Sequence, residues 1–213
     1  MTIATIIGAG NMARGIATRL ATTKIDLQIL APQAERADAL ARELSASGAS
    51  VSGASVQEPM EGDVVILAVP YEAALEIADT RRDELTGKIV IDITNPVDWD
   101  SFDRLVTPPD SSAAEEIAKR LPGVPVLKAF NTTFAGTLLE GQVAGQPLDV
   151  LVAGDDDDAK ARVAELVEQT GLRPVDAGPL RRARQLEQVG FLHMALQDKL
   201  GSGYGSAIKI ITP

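Results

Sequence analysis

The chain has 213 residues, of which 45% are hydrophobic and 3% aromatic, and its formal net charge is −10 at pH 7. Because it contains no cysteine and a single histidine, it excludes disulfides, iron–sulfur clusters, thiol nucleophiles and zinc sites built from several histidines. The negative charge argues against a nucleic-acid partner, since such binding relies on clustered lysine and arginine.

Short apolar runs alternate along the chain with segments of helical periodicity, which predicts βαβ units and a Rossmann-type, doubly wound, mostly parallel sheet. Strands of such a sheet are covered on both faces, so apolar and polar residues barely alternate within them. The predicted strands are Ile3–Ile7, Leu27–Leu30, Val64–Val69, Ile89–Ile93, Val124–Lys128, Asp149–Ala153 and Arg173–Val175, with a weaker one near Ser50–Ser52. We expect a dinucleotide-binding domain over 1–176 and a short helical extension with a tail over 177–213, packed on the substrate side or at a dimer contact.

A glycine-rich turn follows the first predicted strand and opens a helix. Its residues are Gly8-Ala9-Gly10-Asn11-Met12-Ala13, a G-x-G-x-x-A pattern. In such a fingerprint the first glycine permits the tight turn, the second lets the backbone approach a pyrophosphate, and a small third residue allows close packing. The helix N-terminus supplies amide groups for the phosphates. The position of this turn within a βαβ unit therefore predicts a dinucleotide site.

The end of the second strand bears on the choice between NADP and NAD. An acid there would hold the ribose hydroxyls of NAD, whereas an arginine would accept the 2′-phosphate of NADP. After Ala31 the chain continues with Pro32 and Gln33, without an acid, and Arg36 follows in the first helical turn. Arg36 is either a phosphate ligand or a solvated charge on the helix surface. The segment favours NADP and leaves NAD open.

Two helix starts carry capping residues. Ser112 and Glu115 form a capping box for a helix that ends near Leu121. The acidic run Asp155–Asp158 precedes another helix, and carboxylates at a helix start complement its dipole. We therefore interpret that run as a helix start rather than a metal site, and we predict no bound metal.

The last long helix carries the one histidine. His193 belongs to a stripe at helical spacing, Leu186, Val189, His193, Leu196 and Leu200. We expect these residues to form one apolar face of the helix, which is a candidate for a dimer contact or for the floor of a ring-binding site. A histidine in such a stripe is usually packed and hydrogen-bonded. The glycine-rich tail after this helix adds an edge strand or covers the site, and the sequence does not decide between these.

Several segments together resemble the deazaflavin-dependent NADP oxidoreductases, and within them a dinucleotide-binding oxidoreductase subgroup. These enzymes exchange hydride between NADP(H) and coenzyme F420. The resemblance spans residues 1 to about 200. The matching segments are Ile7–Met12, Val65–Glu72, Val90–Pro96, Ser111–Glu115, Lys128–Thr132 and Asp176–Leu180.

The resemblance implies a nicotinamide pocket at the carboxyl ends of three strands. The implied lining is Ala68, Val69 and Pro70 on one side, Asn95 and Pro96 beneath, and Asn131 and Thr132 at the carboxamide, with Thr133 and Phe134 on the substrate side. It also implies a homodimer, with the helix over 180–200 as the contact. The family usually has a serine–arginine pair where this chain has Pro32 and Gln33, so NADP specificity is a point of departure.

Hydride transfer between two bound rings needs positioning rather than a side-chain acid, which suits a chain so poor in histidine and cysteine. Lys128 and His193 are the two candidates for proton transfer. We expect Lys128 to be a strand-end cation whose amine reaches solvent.

The predicted function is an NADP(H)-dependent oxidoreductase acting on a deazaflavin, flavin or other small acceptor. The alternatives are a non-catalytic NADP(H) sensor or scaffold, and an imine reductase similar to pyrroline-carboxylate reductase. No segment resembles a signal peptide or a membrane span, since the longest apolar run, Val64–Pro70, is far shorter than the ~20 residues that a span requires. We expect a cytoplasmic protein.

Overall fold

The computed structural model describes residues 3–212, which fold around one large sheet. The strands are β1 (Ile3–Ile7), β2 (Asp26–Ala31), β3 (Val51–Ser55), β4 (Val64–Leu67), β5 (Ile89–Asp92), β6 (Val126–Lys128), β7 (Gln142–Val143), β8 (Gln146–Pro147), β9 (Asp149–Gly154) and β10 (Arg173–Gly178). The α-helices are α1 (Asn11–Leu20), α2 (Ala34–Ser45), α3 (Tyr71–Thr80), α4 (Arg82–Leu85), α5 (Ala113–Arg120), α6 (Ala135–Glu140), α7 (Asp157–Gln169), α8 (Ala183–Ala195) and α9 (Gln197–Leu200). A 3₁₀ turn, Leu180–Arg182, precedes α8.

The large sheet has the strand order β10-β9-β6-β5-β4-β1-β2-β3. Neighbouring strands run parallel except for β6 and β9, which pair antiparallel. Strands β7 and β8 form a separate short hairpin. The strand order reverses between β1 and β4, because the chain leaves β1 toward one edge and later returns to its other side. In open α/β sheets ligands bind at such a switch point, outside the carboxyl ends of the strands.

The predicted doubly wound, mostly parallel sheet is confirmed. Successive residues of the central strands point to opposite faces: Ile6 and Ile66 join one apolar cluster, and Ile7 and Leu67 join the other. Helices α1, α2 and α7 cover the first face, and α3 and α5 cover the second. The strand near Ser50–Ser52 forms as the edge strand β3. The domain boundary proposed at 176/177 falls inside β10, which continues to Gly178.

Both predicted helix starts form as capped ends. Ser112 accepts a hydrogen bond from the backbone N–H of Glu115 at 3.2 Å, and Asp156 accepts one from that of Ala159 at 2.8 Å. The acidic run thus begins α7, and no cluster of three metal-binding side chains occurs within residues 3–212. In the same described part of the chain, no helix combines the length and apolarity needed to cross a bilayer.

The face predicted for the last long helix is wrong. The buried side of α8 and α9 contains Leu186, Glu187, Gly190, His193 and Gln197. Val189, Leu196 and Leu200 of the predicted stripe are exposed instead. The buried face is rotated about the helix axis relative to the predicted stripe. Glu187 and Gln197 are buried because they have polar partners inside the fold, which offset the cost of their burial.

Candidate active site

The turn after β1 brings the ends of three strands together. Gly8 has a φ of +123°, and a Cβ on it would lie 2.2 Å from the carbonyl oxygen of Ala68, so a side chain there is excluded. The backbone N–H of Gly8 donates to the carbonyl of Leu30 at 2.7 Å. The first glycine of the fingerprint therefore holds the end of β1 against the ends of β2 and β4.

The N-terminus of α1 is open to an anion. Gly10 occupies the N-cap position, no side chain caps the helix, and its first turn contains no acid. A Cβ on Gly10 would meet nothing within 4 Å, so there is free space in front of the first amide groups. Uncapped N–H groups and the helix dipole attract phosphate. This end fits a pyrophosphate.

The small residues further along α1 serve packing. Ala13 lies on the inner face of α1 and is fully buried. A Cβ on Gly15 would lie 2.9 Å from the Cβ of Leu138, so Gly15 allows close contact between α1 and α6.

A cavity of about 690 Å³ lies beyond the carboxyl ends of β1, β4, β5 and β6. Its walls include most of the residues predicted for the site: Gly10, Asn11, Met12, Ala68, Val69, Pro70, Asn95, Pro96, Asn131, Thr133 and Phe134. The sequence reasoning missed a further group that also lines it: Tyr71, Glu72, Ile93, Thr94, Val97, Trp99 and Met194. Five of these seven residues lie next to a predicted segment, either just before it or just after it, so only the positions of Trp99 and Met194 depend on distant parts of the chain.

Other predicted residues lie beside the cavity rather than on its wall. Gly8 and Ala9 form the turn behind it, and Thr132 is buried. Ala31 is the last residue of β2, next to the turn after β1. Arg36 is exposed on the first turns of α2, and its backbone N–H donates to the carbonyl of Gln33.

Two asparagines form the floor of the cavity. The Nδ2 of Asn95 donates to the carbonyl of Asn131 at 2.7 Å, and the Nδ2 of Asn131 donates to the Oδ1 of Asn95 and to the carbonyl of Leu186, each at 2.9 Å. Helix α8 approaches closely here because residue 190 is glycine: a Cβ would lie 2.7 Å from the Asn95 Oδ1. The pair is thus held from both sides.

Two oxygen atoms of the cavity residues are buried without a hydrogen-bond partner among residues 3–212. They are Oδ1 of Asn131 and Oγ1 of Thr94. Buried polar atoms are nearly always paired, so unpaired ones at a cavity wall indicate a ligand that supplies hydrogen bonds. An amide group, such as the carboxamide of nicotinamide, has both donors and an acceptor and fits these oxygens.

The expectation for Lys128 is wrong: its amine does not reach solvent. Lys128 is fully buried, and its Nζ lies 2.7 Å from Asp92 and 2.8 Å from Glu187. It also donates to the carbonyl of Thr94. Burial opposes the charged amine, but the two carboxylates outweigh it and raise the pKa of Lys128. A lysine held in this way is a structural cation beneath the cavity, since the ion pairs rather than solvent stabilise its charge.

His193 is packed and hydrogen-bonded, as the spacing predicted. Its Nδ1 lies 3.3 Å from the carbonyl of Thr132, and its Nε2 lies 2.8 Å from the hydroxyl of Ser206 in the tail. The ring of Phe134 stacks on it at a centroid distance of 4.2 Å. Burial lowers the pKa of His193, although the Thr132 carbonyl opposes this. The imidazole is therefore neutral at neutral pH and joins the tail to the cavity wall.

The tail adds no strand within residues 201–212; it covers the outer side of that wall instead. Tyr204 packs edge-on against Phe134, with ring centroids 5.0 Å apart. Further along, Lys209 and the backbone N–H of Ile210 bind the carboxylate of Asp149. Since Phe134 lines the cavity, the tail supports the site from behind.

Tyr71, one of the residues that line the cavity, keeps its hydroxyl protonated. Burial, followed by the nearby carboxylate of Glu116, raises the pKa of Tyr71 to about 12. The phenol thus stays protonated at neutral pH and is available as a hydrogen-bond donor.

Comparisons with known proteins agree with this geometry. Residues 2–96 match the family model described as NADP oxidoreductase, coenzyme F420-dependent. The chain is 34% identical to the F420-dependent NADP reductase of Methanocaldococcus jannaschii, over 99% of this chain and 98% of that protein. It is 36% identical to the F420-dependent NADP reductase of Methanothermobacter thermautotrophicus, over 89% of this chain and 86% of the relative.

A solved structure from Arthrobacter sp. FB24 shares the fold. It superposes with a TM-score of 0.83, covers 98% of this chain and 99% of its own, and is 24% identical. Together with the near-complete coverage of the archaeal relatives, the matched fingerprint shows that this chain belongs to the family of coenzyme F420-dependent NADP oxidoreductases.

Proposed function

We propose that the chain is an F420-dependent NADP reductase, which transfers hydride between NADP(H) and the deazaflavin coenzyme F420. The two relatives with this name align with the chain over 98% and 86% of their own length. The observation that carries the proposal is that one cavity is lined both by the open N-terminus of α1 and by Asn131 and Thr94, whose side-chain oxygens are unpaired. The helix N-terminus suits the phosphate end of nicotinamide mononucleotide, and the two oxygens suit its carboxamide end.

In this proposal the residues of the cavity bind and orient rather than react. The amides at the start of α1 hold the pyrophosphate, and Ala31 and Arg36 lie toward the adenosine half. Asn131 and Thr94 fix the carboxamide, while Asn95 and the buried Lys128 keep their backbone in place. The remaining contacts that we assign to the dinucleotide are Gly8, Ala9, Gly10, Asn11, Met12, Ala68, Val69, Pro70, Pro96 and Thr132. We assign Thr133 and Phe134 to the second substrate.

The chemistry belongs to the two bound rings. A hydride carries both electrons from nicotinamide to deazaflavin, and one proton enters the deazaflavin from solvent, so no third redox partner is required. The protein contributes by holding the rings at about 3–3.5 Å and keeping water out of the space between them, which supplies roughly 7–11 kcal/mol of the barrier. His193 is neutral and has a hydrogen-bond partner at each ring nitrogen, and Lys128 is buried and ion-paired. Both match a reaction without a side-chain acid or base.

The direct test is to mix the protein with NADPH and F420 and follow the loss of absorbance of both. We expect stoichiometric oxidation of NADPH with F420 and slower or no oxidation with a free flavin. NADPH that binds but is never oxidised would favour the sensor interpretation. NADPH consumption with pyrroline carboxylate but not with F420 would instead favour an imine reductase.

A Gly10→Val variant tests the binding mode. The new side chain enters space that is empty in the protein, and the backbone at Gly10 is extended, so the fold should be unaffected. The same side chain would occupy the position of the pyrophosphate, so we expect the KM for NADPH to rise by at least about tenfold, or ~1.4 kcal/mol. Thermal unfolding measured beside the kinetics should show an unchanged Tm. Unchanged binding of NADPH would contradict a pyrophosphate at this turn.

We also propose that the protein is a homodimer through the exposed side of α8 and α9. Val189, Leu192, Leu196 and Leu200 are 36%, 59%, 38% and 57% exposed. Their spacing places these apolar side chains on successive turns of one surface. Contiguous exposed apolar surface of this kind marks an interaction site.

A further inference from the structure

One aromatic side chain of the cavity is not accounted for by dinucleotide binding. Trp99 is the only tryptophan of the sequence and is 70% exposed, although it lines the cavity. A large aromatic ring left in water at the edge of a cavity forgoes much of its favourable burial. Since the fold gains little from this position, a ligand that covers the indole is the simplest physical reason for it.

The loop that carries Trp99 is ordered by its own contacts. Val97 and Leu105 form an antiparallel bridge across its base. The carboxylate of Asp98 accepts a hydrogen bond from Arg104 at 2.8 Å, and the backbone N–H of Phe102 donates to the Asp98 carbonyl at 2.7 Å. A loop closed in this way presents its side chain in a defined position, which lowers the entropic cost of binding a ligand.

A row of aromatic rings backs Trp99. Its ring lies 5.8 Å from that of Phe102, which in turn packs edge-on against Phe191 of α8 at 5.5 Å. Phe102 adopts a φ of +49°, a conformation that side-chain-bearing residues rarely adopt. The backbone is thus held in an unfavourable region while the ring of Phe102 braces Trp99 against α8.

Other parts of the cavity wall are also apolar. Phe134 and Met194 line them, and the polar atoms that fit the carboxamide lie deeper, on the β5 and β6 ends. A second planar ring that enters above the nicotinamide would therefore meet an indole and a thioether among the lining side chains. Both tryptophan and methionine make favourable contacts with aromatic rings.

We propose that Trp99 stacks on the fused ring of the hydride acceptor and selects planar, multi-ring acceptors over small ones. This inference rests on the proposed function, because it assigns the second substrate of that same cavity. Trp99 is then a specificity-determining residue that contacts substrate, braced by Phe102 and Phe191. No proton or electron passes through the indole; it contributes contact area and orientation.

The single tryptophan makes binding directly observable without turnover. We would measure quenching of the tryptophan fluorescence by acrylamide in the full-length protein, alone, with NADP⁺ and with oxidised F420. We expect acrylamide quenching to fall at least about threefold with F420, since the ring would cover the indole, and to change little with NADP⁺. Equal quenching with and without a saturating concentration of F420 would overturn the proposal.

Kinetics of variants provide a second, independent measurement. For Trp99→Ala we expect the KM for F420 to rise about tenfold and the KM for NADPH to stay unchanged. Trp99→Phe retains a stacking ring and should recover most of the loss. Val106→Ala is the matched control, because this exposed apolar residue lies on the same loop outside the cavity wall.

The outcomes separate this inference from the proposed function. If the unaltered protein does not oxidise NADPH with F420, the proposed function fails and the inference fails with it. If the unaltered protein is active and Trp99→Ala has the same KM for F420, only the inference is overturned. If Trp99→Ala raises both KM values equally, the residue has a general structural role and the inference is again overturned.

Discussion

At the scale of single residues, Gly190 shows how one missing side chain sets the shape of the cavity floor. It lies on α8, and a Cβ there would be 2.7 Å from the Asn95 Oδ1 and 2.8 Å from the carbonyl of Asn131. These two asparagines are the residues that we assign to the nicotinamide end. The close approach of α8 therefore depends on the glycine.

We predict that Gly190→Ala pushes α8 away from the asparagines. The expected cost is about 1–3 kcal/mol of unfolding free energy, as for other overpacked sites, together with a raised KM for NADPH. Urea unfolding and steady-state kinetics measure the two effects. Gly136→Ala is the matched control, since a Cβ at that position in α6 meets nothing within 4 Å and should be neutral or slightly stabilising. Equal behaviour of the two variants would contradict this prediction.

Arg36 is the residue to which we assign a preference for NADP. It follows the end of β2, where Pro32 and Gln33 offer no charge, and its side chain is exposed. An exposed ionic contact contributes about 1 kcal/mol or less, so the preference should be small.

We predict that Arg36→Ala raises the KM for NADPH about three- to fivefold, in line with ~1 kcal/mol, and leaves the KM for NADH unchanged. The ratio of the two KM values in each variant is the measurement. Arg42→Ala serves as the control, because this exposed arginine lies six residues further along α2 and away from the strand end. If Arg36→Ala leaves the ratio of the two KM values unchanged, Arg36 does not recognise the phosphate.

At the scale of elements, the sequence predicted the parts whose determinants are local. The fingerprint around Gly8, the strands and the cap at Ser112 each depend on neighbouring residues and appear where the pattern placed them. The orientation of α8 does not, since the burial of Glu187 depends on two distant partners, Lys128 and the backbone N–H of Ala113, which lie 59 and 74 positions earlier in the chain. Apolar periodicity alone groups Leu186, Leu196 and Leu200 on one face, whereas the structure buries Leu186 and exposes the other two.

The same limit applies to the cavity. Strand ends and the segments that follow them could be assigned from the order of the βαβ units. The antiparallel pairing of β9 with β6 and the position of Trp99 over the cavity could not, because each depends on contacts between elements distant in sequence. The expectation that Lys128 reaches solvent is wrong for the same reason. A strand-end lysine extends to solvent unless buried carboxylates pair with it, and both carboxylates here come from other elements.

The last part of the tail is anchored on a buried carboxylate. Asp149, which is 3% exposed, accepts hydrogen bonds from Arg173, from Lys209 and from the backbone N–H of Ile210. Burial would raise the pKa of Asp149, but Arg173 and Lys209 outweigh it and lower the pKa to about 2. Because the folded value lies below the unfolded value of ~3.9, the stabilisation is complete above pH ~4 and is lost as the pH falls toward 2.

We predict that Asp149→Asn costs about 2 kcal/mol of unfolding free energy at pH 7 and that this difference shrinks as the pH falls through the same range. Urea unfolding at a series of pH values measures it, and hydrogen exchange of the Ile210 amide reports release of the tail. Asp38→Asn, on the exposed side of α2, is the control and should change little. A difference that persists undiminished at pH 2 would show that charge at Asp149 is not the cause.

At the scale of the whole molecule, the sheet brings the parts of the proposed site together at the carboxyl ends of its strands. The turn after β1, the asparagine pair and the tail all meet at the carboxyl ends of the strands, and α8 crosses behind them. One side of α8 therefore holds the floor through Gly190 and His193, while its other side carries the exposed Val189 and Leu192. A partner on the exposed side would stabilise the helix on which the cavity floor depends.

That arrangement gives the prediction for the assembly. We expect the protein to sediment as a dimer and Leu192→Glu to sediment as a monomer, since a charge on the 59% exposed side chain would have to be buried in the interface. Leu186 is unsuitable for this test, because it is buried within the protomer and a charge there would damage the fold. Leu139→Glu, on the 41% exposed side chain of α6, is the matched control and should remain dimeric. A monomeric unaltered protein, or a dimer that survives Leu192→Glu, would contradict an interface on this face of α8.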